Sequence, residues 1–278
     1  MSLVQFFEHI RPWQRSLLLV AGLMLFWGLE GFIPLVRRPY HKLKHAGLNL
    51  FFTFTTVLIN LVFASLIVWG SRMSNDQGIG LLHLLRLPVW LECLIGLMIL
   101  DLISAWLIHW IQHQVKWMWK FHLIHHSDTW VDATTANRHH PGESIFRAFF
   151  TFLAVLAAGA PMWLVFLYQF LSVLLSQFNH ADISLPGWLD HALAWVIVSP
   201  NMHKVHHHYR QPMTDSNYGN LFSFWDRLFG TFIRVGDPRN LRYGIDSYPQ
   251  EQENNRIAKL LRIPFENYRP PPGGKFGD

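Results

Sequence analysis

The chain alternates long apolar runs with short polar breaks. Residues 46–70 form 25 consecutive positions without Asp, Glu, Lys or Arg. A helix needs about 20 apolar residues to cross a hydrocarbon core, so this run is long enough to span one. Residues 17–36 form a second candidate with Glu30 near one end, and residues 87–111 a third carrying Glu92, Asp101 and His109. An ionisable group inside a span is costly and serves structure or function. Asp101 is therefore read either as a polar support for the nearby histidines or as a residue beside an aqueous cavity.

Residues 144–178 are apolar and broken by Ala158-Gly159-Ala160-Pro161. Each half is near the lower limit for a crossing, which predicts a helical hairpin that returns to the side it left. Residues 189–199 are too short to cross and are expected along the interface. Residues 71–86 have turn composition, and the Pro- and Gly-rich tail beyond Arg262 is expected to be disordered. The pattern predicts an all-α integral membrane protein. About three spans are expected, in an N-terminal part over 1–94 with the third running on to residue 111. An apolar helical hairpin and a cytosolic His-rich helical cap are expected within 95–235, and a partly disordered tail over 236–278.

Charge adds an orientation. The formal net charge of +5 is spread by topology rather than gathered as a nucleic-acid footprint. With the predicted crossings, 19 Lys and Arg fall on the side of residues 37–45, 114–147 and 201 onward, and 4 on the other. Positive charge marks the cytoplasmic side. The first span is too long for a cleavable signal peptide, ends in Pro34 and Arg37-Arg38, and has no small-residue cleavage site after it. The one cysteine, Cys93, gives no disulfide framework.

The candidate chemistry is imidazole. Of 17 histidines, 13 lie between His109 and His208. His109 and His113 are four apart; His122, His125 and His126, and again His203, His206 and His207, have i, i+3, i+4 spacing. On a helix such residues share a face, so each group is expected to aim its rings at one point. Imidazole binds iron, zinc, copper and nickel, and eight clustered rings exceed the needs of one four-coordinate ion, so two metals are expected. His9, His41, His45, His83 and His191 read as ordinary surface or core histidines, those of the 37–45 loop facing solvent.

These boxes resemble those of the fatty acid hydroxylase / sterol desaturase superfamily of integral membrane di-iron oxidases. His109 and His113 match its His-x(3)-His box, while His122, His125 and His126, and then His203, His206 and His207, match its two His-x-x-His-His boxes. Arg138, His140 and Pro141, then Glu143, match its Arg-x-His-Pro segment; His180 matches its isolated histidine after the hairpin. Asn217-Tyr218-Gly219 and residues 225–231 match later elements of the family, so the resemblance covers roughly residues 95–235. Two features depart from it: His208 extends the last box, and His139 stands beside His140.

The resemblance implies a metal set of His109, His113, His122, His125, His126, His140, His180, His203, His206 and His207, with Arg138, Asn217, Asp226 and Arg227 in supporting roles. It implies two iron ions, replaceable by zinc, with O2 as co-substrate. The reaction implied is hydroxylation or desaturation of a lipid C–H bond (sterol, fatty acyl or related). Unactivated C–H bonds offer no acidic proton, so the oxidant must come from a cofactor. With no cytochrome or reductase sequence in the chain, the electron donor is expected to be a separate cytochrome b5-, ferredoxin- or reductase-type partner. The lack of long insertions favours a bacterial inner membrane over the endoplasmic reticulum. The rival classes are a membrane metal-binding or transport protein and a zinc hydrolase, which would need only about three protein ligands.

Overall fold

The computed structural model describes residues 2–37, 40–271 and 275–276. The chain is all-helical, with no strand among the described residues beyond isolated bridges. Helices α1 (Leu3–Glu8) and α2 (Pro12–Phe32) open it, then come the long α3 (Lys42–Gln77) and short α4 (Leu81–Leu85). Helix α5 (Val89–Asp101) runs through a π-helical turn, Leu102–Leu107, into α6 (Ile108–Gln114); α7 is Lys116–His126. The hairpin is α8 (Pro141–Ala158) and α9 (Met162–His180). Short helices α10 (Gly187–Leu193), α11 (Pro200–His206), α12 (Phe224–Leu228), α13 (Glu251–Asn254) and α14 (Ile257–Arg262) build a cap.

Among the described residues, five helical segments are long and apolar enough to cross a membrane: Pro12–Phe32, Lys42–Leu85, Val89–Gln114, Pro141–Ala158 and Met162–His180. Their outer faces stay apolar, as at Leu61, Val62 and Trp90, each at least two-thirds exposed. Such a surface suits lipid rather than water. The core between α5, α8 and α9 is built on Leu100, Val155 and Leu164, all fully buried. The predicted break at 158–161 is the hairpin turn. Gly159 adopts φ 70°, a left-handed value that favours glycine, and returns its N–H to Val155 O.

Three expectations change. Residues 71–77 continue α3, so the turn is confined to 78–80, where Gly78 and Gly80 take positive φ. His45 does not face solvent. It is held by Asp128 (Nε2–Oδ1 2.8 Å) and Asp132 (Nδ1–Oδ2 3.2 Å), because α3 starts against the loop after α7. Beyond Arg262 the chain is partly packed: Ile263, with Leu260 of α14, is fully buried against Leu123 and Ile124 of α7, and Pro264 is buried, while Phe265 and Arg269 are exposed. Composition concealed this, because a few apolar residues at helical spacing outweigh the flanking prolines. Residues 272–274 and 277–278 of the tail lie outside the described residues.

Asp101 is a support rather than a cavity residue. Its carboxylate accepts the N–H groups of Leu221 (3.1 Å) and Phe222 (3.0 Å) and the indole N–H of Trp225 (3.1 Å). One buried acid thus ties the cap to the span that carries the first histidines.

Candidate metal centre

The histidines gather at one end of the bundle, in two nests. In the first, His109, His113, His122, His126 and His206 bring one ring nitrogen each within 4.8 Å of one another; in the second, His125, His180, His203 and His207 do the same. All nine rings are at most 6% exposed. Each His-x-x-His-His box therefore divides its rings instead of aiming them at one point. On α7, His122 and His126 face the first nest and His125 the second; on α11 and its C-cap, His203 and His207 face the second nest and His206 the first. Helical geometry requires this, because position i+3 lies about 100° around the axis from i+4. The two boxes are reciprocal, and neither nest is complete without both.

Local structure sets the aim. Val115 takes extended φ/ψ between α6 and α7, folding the second box back against His109 and His113. Asn217 takes φ 52°, and its side chain holds the turn by donating to Met202 O and Ile233 O (both 2.8 Å) and accepting from Ile233 N–H (2.9 Å). That turn presents two carbonyls, one on each side. Ser216 O lies 2.7 Å from His206 Nδ1, and Tyr218 O lies 2.8 Å from His109 Nδ1. Asp226 supports the same turn by accepting the N–H groups of Tyr218 and Gly219 and the indole of Trp106.

These contacts fix the tautomers. A carbonyl or carboxylate oxygen only accepts, so a neutral ring nitrogen facing one carries the proton. Besides His109 and His206, this applies to His113 with Asp215 Oδ1 (3.1 Å), His122 with Glu143 Oε1 (2.8 Å) and His180 with Ser176 O (2.7 Å). In these five rings Nε2 is a bare lone pair aimed into a nest. His109 Nε2 and His122 Nε2 stand 3.0 Å apart with no proton between them. His180 Nε2 stands 3.1 Å from the Nε2 atoms of His125, His203 and His207. Converging lone pairs repel unless a cation lies among them. Ring N–H groups held from outside by carboxylates and carbonyls are the usual second layer of a metal site. The donor set therefore fits one metal ion per nest.

Burial, and after it the repulsion of neighbouring imidazoles, lowers His122, His125, His126 and His207 well below the usual imidazole range. Neutral rings are the form that binds metals. Burial pushes the Asp215 carboxyl up, but hydrogen bonding and charge from His113 and Lys275 together outweigh this and hold it below its usual value.

Of the ten residues expected in the metal set, the structure brings nine together and leaves His140 out. Pro141 at the first position of α8 makes His140 the N-cap, and its Nδ1 accepts Gly142 N–H at 3.0 Å. Its ring then packs on Phe121 and Phe265, away from both nests. His139 is the inward residue instead. Its ring stacks on His125 at 4.7 Å, and its Nδ1 lies 2.9 Å from Glu143 Oε1. His208 stays outside, turned toward Arg210.

Arg138 is fully buried and clamps the second box, donating to Ile124 O, Ser127 Oγ, Asn49 Oδ1 and Asn254 O. Arg227 lies over Trp195 and Phe232 at the rim. Sequence reading missed Asp215 and Glu143 as supports of ring nitrogens. Glu143 reads as a first-turn acid of α8, and nothing in the sequence marks Asp215.

The fatty acid hydroxylase family matches residues 93–231, half of the chain. An ornithine lipid hydroxylase, OlsE, of Rhizobium tropici is 24% identical over 57% of this chain and 46% of its own length. The alkylglycerol monooxygenase of Xenopus tropicalis is 30% identical over 49% of the chain and 29% of its own length. Methylsterol monooxygenase 2-2 of Arabidopsis thaliana is 27% identical over 56% and 59%. The chain thus spans less than two thirds of each of these relatives, and no solved structure matches it. The matched segment holds both nests, the π-helical turn and the Asn217 turn, and the chain belongs to the fatty acid hydroxylase family.

Proposed function

We propose that this chain hydroxylates a C–H bond of a membrane lipid, using O2 and two electrons from a separate donor protein. The observation that carries the reading is the gathering of nine buried imidazoles into two nests at the end of a lipid-facing bundle, with four bare Nε2 lone pairs in the first and that of His180 at the centre of the second. Two iron ions held there would supply the O2-activating chemistry that an unactivated C–H bond demands. The first nest would be held by His109, His113, His122, His126 and His206 and the second by His125, His180, His203 and His207. Nine nitrogen ligands exceed what a single hydrolytic zinc uses. Their position at one end of the bundle, not along a path through it, argues against ion transport.

The protein's own part is to hold, orient and keep dry. Glu143 and Asp215 keep the Nδ1 protons of His122 and His113 on the outer side. The Tyr218 ring, buried against His109, His113 and His206, covers one side of the first nest. The net reaction puts one oxygen atom into the C–H bond and releases the other as water, consuming two electrons and two protons. Relatives described as hydroxylases and monooxygenases favour oxygen insertion over desaturation. The nests share their end of the bundle with most of the cationic residues, which supports a cytoplasmic face.

The test is isotopic. Iron-loaded protein in native-lipid nanodiscs, given a reductant and heavy-oxygen O2, should yield a lipid carrying one labelled oxygen, and His206→Ala should yield none. Iron-loaded protein that consumes reductant and leaves every lipid unlabelled would refute the assignment.

A further inference from the structure

The aqueous side of the first nest carries a feature that ligand holding does not require. A cavity of about 360 Å³ opens there, with His113 and Trp119 at its base and Tyr209, Arg210 and Tyr268 along its walls. The Trp119 ring lies 4.7 Å from the His113 ring and 5.3 Å from His126, and its indole N–H donates to Tyr268 Oη at 3.2 Å. Tyr268 is half-buried, so a contiguous aromatic path leads from the surface to two rings of the nest. Among the described residues, the second nest has no aromatic neighbour of this kind: its ring contacts are with other histidines.

The mouth is cationic. Lys116 reaches over Tyr268 at 5.8 Å, while Arg210 and Arg242 lie over Tyr209 at 5.6 and 4.7 Å, all three exposed. Two acids line the cavity. Asp215 is taken up by His113 and Lys275, and Asp246 is half-buried near Arg210. The net field at the opening is positive, which steers an acidic partner toward it.

We infer that this mouth is the docking surface for an acidic one-electron carrier protein, and that Tyr268 and Trp119 couple the carrier to the first nest through His113 and His126. The inference rests on the oxygenase reading. The carrier is oxidised twice per turnover and the metal pair gains both electrons. Tyr268 and Trp119 bridge the transfer and keep their own oxidation state.

The full chain in neutral-lipid nanodiscs tests this with two probes, a [2Fe–2S] ferredoxin and the soluble haem domain of a cytochrome b5. Zinc-loaded protein should bind at least one of them with salt-dependent affinity, and K116E/R210E/R242E should weaken that binding by roughly 10-fold or more at low salt. In iron-loaded protein the same variant should slow reduction by the carrier and leave reduction by dithionite unchanged. Trp119→Leu should keep carrier affinity and slow transfer within the complex.

Wild-type affinity retained in the triple variant would overturn the proposal. So would a loss of affinity for phosphatidylglycerol vesicles alone, which would make the patch a lipid contact. Iron that dithionite reduces while neither carrier binds would also overturn it. Iron that neither dithionite nor carrier reduces would count instead against the oxygenase reading.

Discussion

The arrangement of single rings decides how many metals the chain can hold. His139 and His140 are neighbours with opposite fates: one stacks on His125, and the other caps α8 with its ring against Phe121. Sequence alone could not separate them, because the choice depends on Pro141 fixing the entry of a helix. His140→Ala is therefore expected to leave metal content unchanged at a cost of about 1 kcal/mol for the lost cap. His125→Ala should empty the second nest. Elemental analysis of both variants checks this, and equal metal loss in the two would contradict the placement.

Glu143 belongs to the same scale. Its carboxylate fixes the tautomer of His122 at 2.8 Å, and losing such a partner typically lowers metal affinity by about 10–100-fold. Glu143→Ala, which removes the acceptor, should show that loss in a chelator competition assay, with membrane insertion intact.

At the scale of elements, the apolar runs fixed the spans and the hairpin, since length and hydrophobicity are local properties. The His boxes were legible for the same reason. Their division between two nests was not, because it depends on α7 and α11 facing each other from positions roughly 80 residues apart in the chain. The turn at Asn217 was legible only as a family element. Its physical role is to expose Ser216 O and Tyr218 O to two rings while its own side chain replaces missing backbone partners.

Asn217→Gly should keep the left-handed backbone and lose the side-chain bonds, whereas Asn217→Ala should lose both and add about 1–2 kcal/mol of strain. Thermal unfolding in detergent should rank wild type above Gly above Ala. The first nest should lose its metal before the second, since both carbonyls serve the first.

For the whole molecule, the burial of so many imidazoles links stability to pH. His122, His125, His126, His203, His206 and His207 titrate well below the ordinary value of 6.5, burial being the largest cause. The unfolded chain therefore takes up more protons than the native one below about pH 6.5, so stability falls as pH falls. Above that pH both states hold neutral rings and this contribution is fully present. Asp128, whose burial is outweighed by His45 and Arg138 so that its carboxyl lies below the usual range, acts in the same direction at lower pH. Metal-free protein is thus expected to lose stability steeply below about pH 6.5, and bound metal should shift the loss to lower pH. Melting curves across pH, with and without metal, measure it; a flat acid limb in the metal-free protein would contradict the neutral-nest account.

The most direct test of two nests with one metal each is metal content per chain, measured on detergent-purified protein after anaerobic loading with ferrous iron. Close to two irons per chain are expected in the wild type, with a loss confined to the second nest in His180→Ala. One iron per chain in the wild type, or none after loading, would contradict this expectation.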